Sequence, residues 1–346
     1  MTDQMQRIVL ASRPDGAPTD ENFRLENSPV PAPGEGEILV KVHYMSLDPY
    51  MRGRMDDAKS YAAPVPIGGT MEGGAVGEVV ASNSPLFQPG DFAFGMFGWA
   101  SHAVANAKTC LKLDPNQAPI TTALGVLGMP GFTGWFGLTE HGKPKEGETL
   151  VVAAATGPVG SMVGQVAKLR GLKVVGIAGG ADKCAMAVEK FGFDACLDHS
   201  AYDTASDLRK ALKEHCPKGV DIYFENVGGK VLDAVLPMMR PFGRIPVCGM
   251  IAWYNAGGLG ADAAGGGITG PRLWRSILVN FLSVNGFIIS NHYDRYGEFL
   301  AEVAPLVASG KIAYAEDIAE GLENAPKAFM SLLQGGNKGK QIVKLV

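Results

Sequence analysis

From residue 149 onward two periodicities alternate along the chain. Short, nearly uninterrupted apolar runs read as strands: Thr149–Ala155 (TLVVAAA), Leu172–Ala178 (LKVVGIA), Ala195–Asp198, Val220–Asn226 (VDIYFEN), Gly243–Met250 and Leu282–Ile289. Between them, Val159–Arg170, Asp182–Phe191, Tyr202–Lys213, Gly229–Met239, Leu273–Phe281 and Tyr293–Ala308 place apolar residues at helical spacing. Strands that alternate with helices make βαβ units and a parallel sheet, and a parallel strand is apolar throughout because both faces are covered. Residues 1–125 follow a different rule. Short β-branched runs such as Glu37–Val42 and Gly74–Ala81, bounded by Pro and Gly, predict a small Greek-key or barrel-like β domain. The stretch 126–150 reads as a Gly/Pro hinge and a turn, and Asn255–Pro271 as a Gly/Ala-rich loop. Residues 315–346 predict a helix and then a lone strand, GKQIVKLV, that returns to the N-terminal β domain. The fold class is α/β: a doubly wound parallel sheet beside a β-rich domain.

Composition narrows the function. A chain of 346 residues exceeds the roughly 250–300 that one core supports, so two domains are expected. The formal charge is 31 − 35 = −4, with no basic stripe, which argues against a nucleic-acid partner. No apolar run approaches the ~18 residues of a membrane helix, and the first residues, MTDQMQRIVLASRPDG, lack a signal-like apolar stretch. Five scattered cysteines without a CxxC pair fit free thiols, hence a cytoplasmic location.

The candidate chemistry begins at Ala154-Ala155-Thr156-Gly157-Pro158-Val159-Gly160, with Gly164 four residues on. A glycine turn after a strong strand, opening a helix, lets backbone approach a pyrophosphate at the helix N-terminus. The pattern is AxxGxxG, and a ligand-free strand–helix turn is the alternative reading. At the tip of the second strand, Gly176-Ile177-Ala178-Gly179-Gly180, there is no acid to bind a ribose 2′-hydroxyl, while Lys183 follows closely. That combination suits a 2′-phosphate; Asp182, next to Lys183, counts against it, and a solvated lysine in a first helical turn is the other possibility.

Several strings together resemble the zinc-independent medium-chain dehydrogenases/reductases, in the branch of NADPH-dependent double-bond reductases: LDPYMRGRM at 47–55, GMPGFT at 128–133, the turn at 154–164, ENVGG at 225–229, VCGMIAWYN at 247–255, GFII at 286–289 and GGNKGK at 335–340. The resemblance covers nearly the whole chain. It implies a GroES-like domain (1–126, completed by 309–346) and a Rossmann domain (127–308), with NADPH bound in the cleft between them. It assigns Thr156, Gly157, Pro158, Val159 and Gly160 to the pyrophosphate turn and Lys183 to the 2′-phosphate. Asn226, Cys248, Gly249, Met250, Tyr254, Phe287, Ile288, Ile289 and Asn337 match further cofactor-contacting strings. His199 stands where the mammalian branch has a tyrosine near the 2′-phosphate.

Zinc-dependent relatives carry a Gly-His-Glu motif and a four-cysteine lobe. Here Met71 and Leu47 occupy ligand places and no such lobe exists, so no metal is expected. Without a Lewis acid the resemblance implies hydride addition to the conjugated C=C bond of an enone or enal. Tyr254 and Tyr50 match the family's substrate-site tyrosines and are the hydroxyls expected to hold the developing enolate. His43, Arg52 and Arg54 are expected in structural ion pairs or as solvated groups. Met129 and Trp135 are expected to line the hinge, while Met96, Phe97, Trp99 and Trp253 are either core or pocket. Quinone reduction on the same scaffold, or a catalytically silent nucleotide-binding protein, are the alternative functions. A homodimer through the edge strand near Leu282–Ile289 is expected.

Overall fold

The computed structural model describes residues 4–256 and 270–346. Most of the Gly/Ala-rich loop at 255–271, expected to shape the substrate pocket, lies outside the described residues. The chain forms two compact units. One holds residues 4–125 and 316–346 with the short segment that begins at Tyr254; the other holds residues 126–253 and 270–315.

The second unit is a parallel sheet in the order Ala195–Asp198, Lys173–Ala178, Thr149–Ala153, Val220–Phe224, Met239–Val247, Ser283–Gly286. This is the doubly wound arrangement read from the sequence. Its order reverses between Thr149–Ala153 and Val220–Phe224, the crevice where such sheets bind ligands. Both strands are almost wholly buried, because helices cover both faces. One face packs Phe132, Phe136, Val163, Phe193 and Phe299; the other packs Leu208, Leu212, Val231, Val235 and Tyr223.

Three sequence expectations change here. The hinge at 126–150 contains a helix, Met129–Phe136, that runs on into a wide helical turn, Gly137–Gly142. Pro130 sits in the first turn, where a missing N–H costs nothing. The glycines that look like breakers are instead contact points: a Cβ on Gly134 would fall 2.8 Å from Val159 O. The helix expected at Gly229–Met239 ends at Val235, and a 3₁₀ turn around Pro237 leads into a strand that starts at Met239. That strand has a register shift against Val220–Phe224, with Phe242 in the left-handed region at φ 64°. Finally, the helix expected from Tyr293 begins at Tyr296, after a 3₁₀ stretch Ile289–Arg295.

The first unit is antiparallel and β-rich. Its main sheet runs Glu316–Glu320, Lys340–Lys344, Glu37–Ser46, Ala75–Ser82, Phe92–Gly95, Leu111–Leu113, and His102–Asn106 also pairs with Glu37–Ser46. Gln4–Leu10 and Phe23–Pro29 form a separate hairpin. The tail does pair with this unit, Ile342 lying opposite Ser46. It brings two strands, not one, joined in parallel across the helix Ala325–Leu333. With three charged residues in Glu316–Glu320 and only Ile318 and Ala319 apolar, the extra strand carries neither an apolar run nor an alternation to reveal it.

Candidate active site

The turn after Thr149–Ala153 is built by one strained residue and one obligatory glycine. Ala154 adopts φ 51°, a left-handed conformation that costs a residue with a Cβ about 1–3 kcal/mol. That conformation aims its carbonyl back, where it accepts the Gly157 N–H at 3.0 Å. A Cβ on Gly160 would collide with the same carbonyl, so only glycine lets the helix Pro158–Leu169 start this close to the strand. No side chain caps this helix, and Pro158 at its start has no N–H to satisfy. The first-turn amides of Val159 and Gly160 are thus offered at the C-terminal edge of the sheet, a cradle suited to a pyrophosphate. Thr156 is buried beneath it.

Asn226 sits at the switch point itself. It follows Val220–Phe224, and its amide donates to Ala153 O at 2.8 Å, tying the ends of the two strands that flank the crevice. Its neighbour Glu225, given no role by the sequence reading, is buried and accepts from the amides of Val227 (2.6 Å) and Gly228 (2.8 Å). Burial pushes its carboxyl pKa up, against those two amides. Glu225 O also accepts from the amides of Cys248 and Gly249, and Asn226 O and Val227 O from those of Ile251 and Ala252. The ENVGG and VCGMIAWYN strings are therefore one hydrogen-bonded layer. Gly228, at φ 77°, leaves room for the Trp253 ring, so Trp253 packs against this loop. The Cys248 thiol is pushed up to about 12 by burial and then by Glu225, which keeps it protonated. Tyr254 lies directly after, in the 3₁₀ turn Ile251–Ala256, half-buried.

A cationic corner forms at the tip of the second strand. Asp198, one strand over, accepts from Gly180 N at 2.8 Å and Ser200 N at 2.9 Å, both on Oδ1, and so holds the turn. The ring of His199 stands against Gly179. Its pKa is lowered by burial, then by Lys230, with Asp198 opposing and Lys183 adding to the effect. Lys230, which the sequence reading passed over, is anchored on the carbonyls of His199 (2.8 Å) and Tyr202 (2.6 Å). Two cations and a neutral imidazole are thus gathered where a 2′-phosphate is expected.

The string 287–289 contributes differently. Phe287 and Ile289 are buried in the core, Phe287 lying 5.8 Å from Phe136 and 5.2 Å from His141 between ring centroids. Their backbone, together with Ile288, is what remains for a ligand. Trp135 is buried as well, donating to Glu302 at 2.8 Å.

In the first unit, Tyr50 is the second residue of the 3₁₀ turn Pro49–Met55. The Arg54 guanidinium lies 5.6 Å from its ring centroid and 4.5 Å from that of Tyr61, and pairs with Glu72 at 2.6 Å. Burial first, then the Asp48 and Glu72 carboxylates, hold the Tyr50 hydroxyl pKa well above its ordinary value, so it remains a donor. Arg52 is buried and paired with Asp56, a structural ion pair as expected, as is Arg54 with Glu72; His43 approaches Glu78 at 3.9 Å, but burial lowers its pKa and favours the neutral ring, so it forms no ion pair. Met71 and Leu47 are buried in the apolar core, and among the described residues no three His, Cys, Asp or Glu side chains converge as a metal site. Met96 and Phe97 line an open cavity of about 410 Å³ with Met5, Arg7, Met71 and Glu72, whereas Trp99 is core, stacked on Phe23. Asn337 donates to Gly339 O at 2.6 Å within its own turn.

The state of His199 is directly measurable. Its ring protons should titrate by NMR with a midpoint below the ordinary 6.5, because the charged form is penalised by burial and by two nearby ammonium groups. Lys230→Met removes one of those charges and should move the midpoint upward. A wild-type midpoint at or above 6.5 would contradict the arrangement.

Comparison with known proteins gives the same picture across the chain. A family model described as an N-terminal domain of oxidoreductase matches residues 6–113, and one described as zinc-binding dehydrogenase matches residues 158–304. The chain is 52% identical to an NADPH-dependent curcumin reductase of Escherichia coli, over 98% of this chain and 96% of that protein. It is 39% identical to a 2-alkenal reductase (NADP(+)-dependent) of Nicotiana tabacum, over 98% and 96% of the two chains. Among solved structures it is similar to CurA of Vibrio vulnificus in complex with NADPH, at 50% identity and a TM-score of 0.92, covering 99% of each chain. With identity of this order spread over both units, the chain belongs to the NADPH-dependent double-bond reductase branch of the medium-chain dehydrogenases/reductases.

Proposed function

We propose that the protein is an NADPH-dependent ene-reductase that saturates the C=C bond of α,β-unsaturated ketones and aldehydes. The observation that carries the reading is the uncapped helix start at the switch point beside the Lys183–His199–Lys230 corner, in a chain half-identical to a curcumin reductase along its length. NADPH, when bound, supplies the hydride that adds to the β-carbon. Thr156, Gly157, Pro158, Val159 and Gly160 hold the pyrophosphate, and Lys183 the 2′-phosphate. His199, neutral, donates a hydrogen bond to the phosphate or stacks on the adenine. Asn226, Cys248, Gly249, Met250, Phe287, Ile288, Ile289 and Asn337 complete the cofactor contacts. Tyr254 and Tyr50 act on the substrate. As charge moves onto the carbonyl oxygen, a fixed hydroxyl binds the enolate more tightly than the ketone, which lowers the barrier. The proton for the α-carbon then comes from a tyrosine or from water. We assign the substrate-side domain to residues 1–126 and 309–346 and the cofactor domain to 127–308.

The protein is further proposed to be a cytoplasmic homodimer. Its five cysteines are all free, as a reducing compartment requires, and among the described residues no helix is long and apolar enough to cross a membrane. Beside the edge strand Ser283–Gly286, Trp274 (71%), Leu278 (73%), Phe242 (70%) and Phe281 (61%) are exposed, the last two rings stacked at 5.2 Å. An open strand edge next to an apolar patch is what a second copy of the chain would cover.

Three measurements test these statements. Tyr254→Phe should lower kcat for an enone at least ~10-fold, with NADPH affinity unchanged, since loss of an oxyanion donor costs about 2.7–4 kcal/mol; full turnover would move the role to another group. Lys183→Ala should raise the NADPH Michaelis constant roughly 10–150-fold, the value of a charge-assisted contact, and leave NADH almost unaffected. A wild-type enzyme equally efficient with both cofactors, or one that oxidises NADPH with quinones but not enones, would overturn the assignment. Light scattering should give twice the 36.4 kDa chain mass, and Phe242→Asp/Phe281→Asp should return it to a single chain.

A further inference from the structure

The turn that carries Tyr50 begins at a buried ion pair whose cation arrives from far along the chain. Lys340, the first residue of the strand Lys340–Lys344, is 2% exposed. Its ammonium donates to Leu47 O at 2.8 Å and to Asp48 Oδ1 at 2.6 Å. The other Asp48 oxygen accepts the Ser46 hydroxyl. Asp48 stands at the N-cap of the Pro49–Met55 turn, yet its side chain caps no amide there; its oxygens face Lys340 and Ser46 instead. Leu47 N also donates to Gln341 O at 3.1 Å. Gly125 leaves a path for the lysine stem: a Cβ there would lie 3.3 Å from Lys340 Cγ.

Docking of this strand alone does not call for a lysine. Taking an ammonium and a carboxylate out of water carries a desolvation cost that their attraction often fails to exceed, and apolar replacements of similar volume are often as stable or more so. What the pair provides that a methionine cannot is direction. It fixes the Leu47 carbonyl and the Asp48 carboxylate, and hence the origin of the turn two residues before Tyr50. The Arg54 guanidinium, itself held by Glu72, lies 5.6 Å from the Tyr50 ring centroid. We infer that Lys340 is a positioning residue for Tyr50, aiming its hydroxyl through Leu47 and Asp48. The inference rests on the reading of Tyr50 as a substrate-side donor.

A double-mutant cycle on the full-length enzyme tests it. The kcat/KM for an enone is measured for wild type, Lys340→Met, Tyr50→Phe and the double variant, alongside NADPH affinity and melting temperature. Lys340→Met should lower kcat/KM roughly tenfold, within the range of coupled neighbours, and leave NADPH affinity unchanged. In the Tyr50→Phe background the same substitution should change kcat/KM less than about twofold. Ser46→Ala, which frees one Asp48 oxygen while keeping the ion pair, should show a smaller effect of the same non-additive kind, and carries the cycle if Lys340→Met does not fold. Effects that multiply independently, or a loss confined to melting temperature, overturn the role of Lys340. Full activity in Tyr50→Phe instead overturns the reading of Tyr50, and the inference with it.

Discussion

A helix can present its first amides to a bound anion at a sheet's edge only if nothing stands between helix and strand. In the second unit that condition is met by removing side chains at the points of closest approach. Gly160 faces the Ala154 carbonyl, Gly164 the Phe193 ring, and Gly176 the Ala155 methyl. Each would clash if it carried a Cβ. The strained backbone of Ala154 persists because the Gly157 amide and the helix start both hold its carbonyl in place. Everything proposed for the cofactor follows from that contact, since it sets where the helix begins relative to the switch point.

In each unit, acids serve to hold the turns of their own unit. Glu225 grips two amides of its own loop, Asp198 those of Gly180 and Ser200, and Asp48 the Ser46 hydroxyl and Lys340. Asp198 keeps its charge while it holds its turn, and around His199 the ammonium groups of Lys183 and Lys230 outnumber it. Preference between cofactors then follows the balance of charges around His199, as much as any single residue.

Much of this was legible in the sequence. The parallel sheet announced itself through apolar runs with no polar interruption, and the glycine turn through its place between strand and helix. What escaped had physical reasons. The helix Met129–Phe136 was hidden because glycines used for close packing look the same as glycines used to break a helix. The strand Glu316–Glu320 was hidden because three of its five residues are charged and its two apolar ones are adjacent. Lys230 and Lys340 do their work through partners distant in sequence, and nothing local separates a lysine bonded to carbonyls from one in water. Phe287 and Ile289 matched a cofactor string, yet their side chains belong to the core; a string match assigns a position, while only packing tells which part of the residue is available.

The strand Lys340–Lys344 also bears on how the chain is made. Leu47 and Lys340 are 293 positions apart, whereas the second unit is drawn mainly from the chain between them. During synthesis the β-rich unit emerges first, but the end of Glu37–Ser46 nearest Asp48 is paired on one side only, by Ala75–Ser82, and Asp48 has no cation, until that distant strand leaves the ribosome. The parallel-sheet unit needs no such wait. The portion translated first is therefore completed last, and for most of its time on the ribosome it carries an open strand edge and an unpaired carboxylate that only a late segment can satisfy.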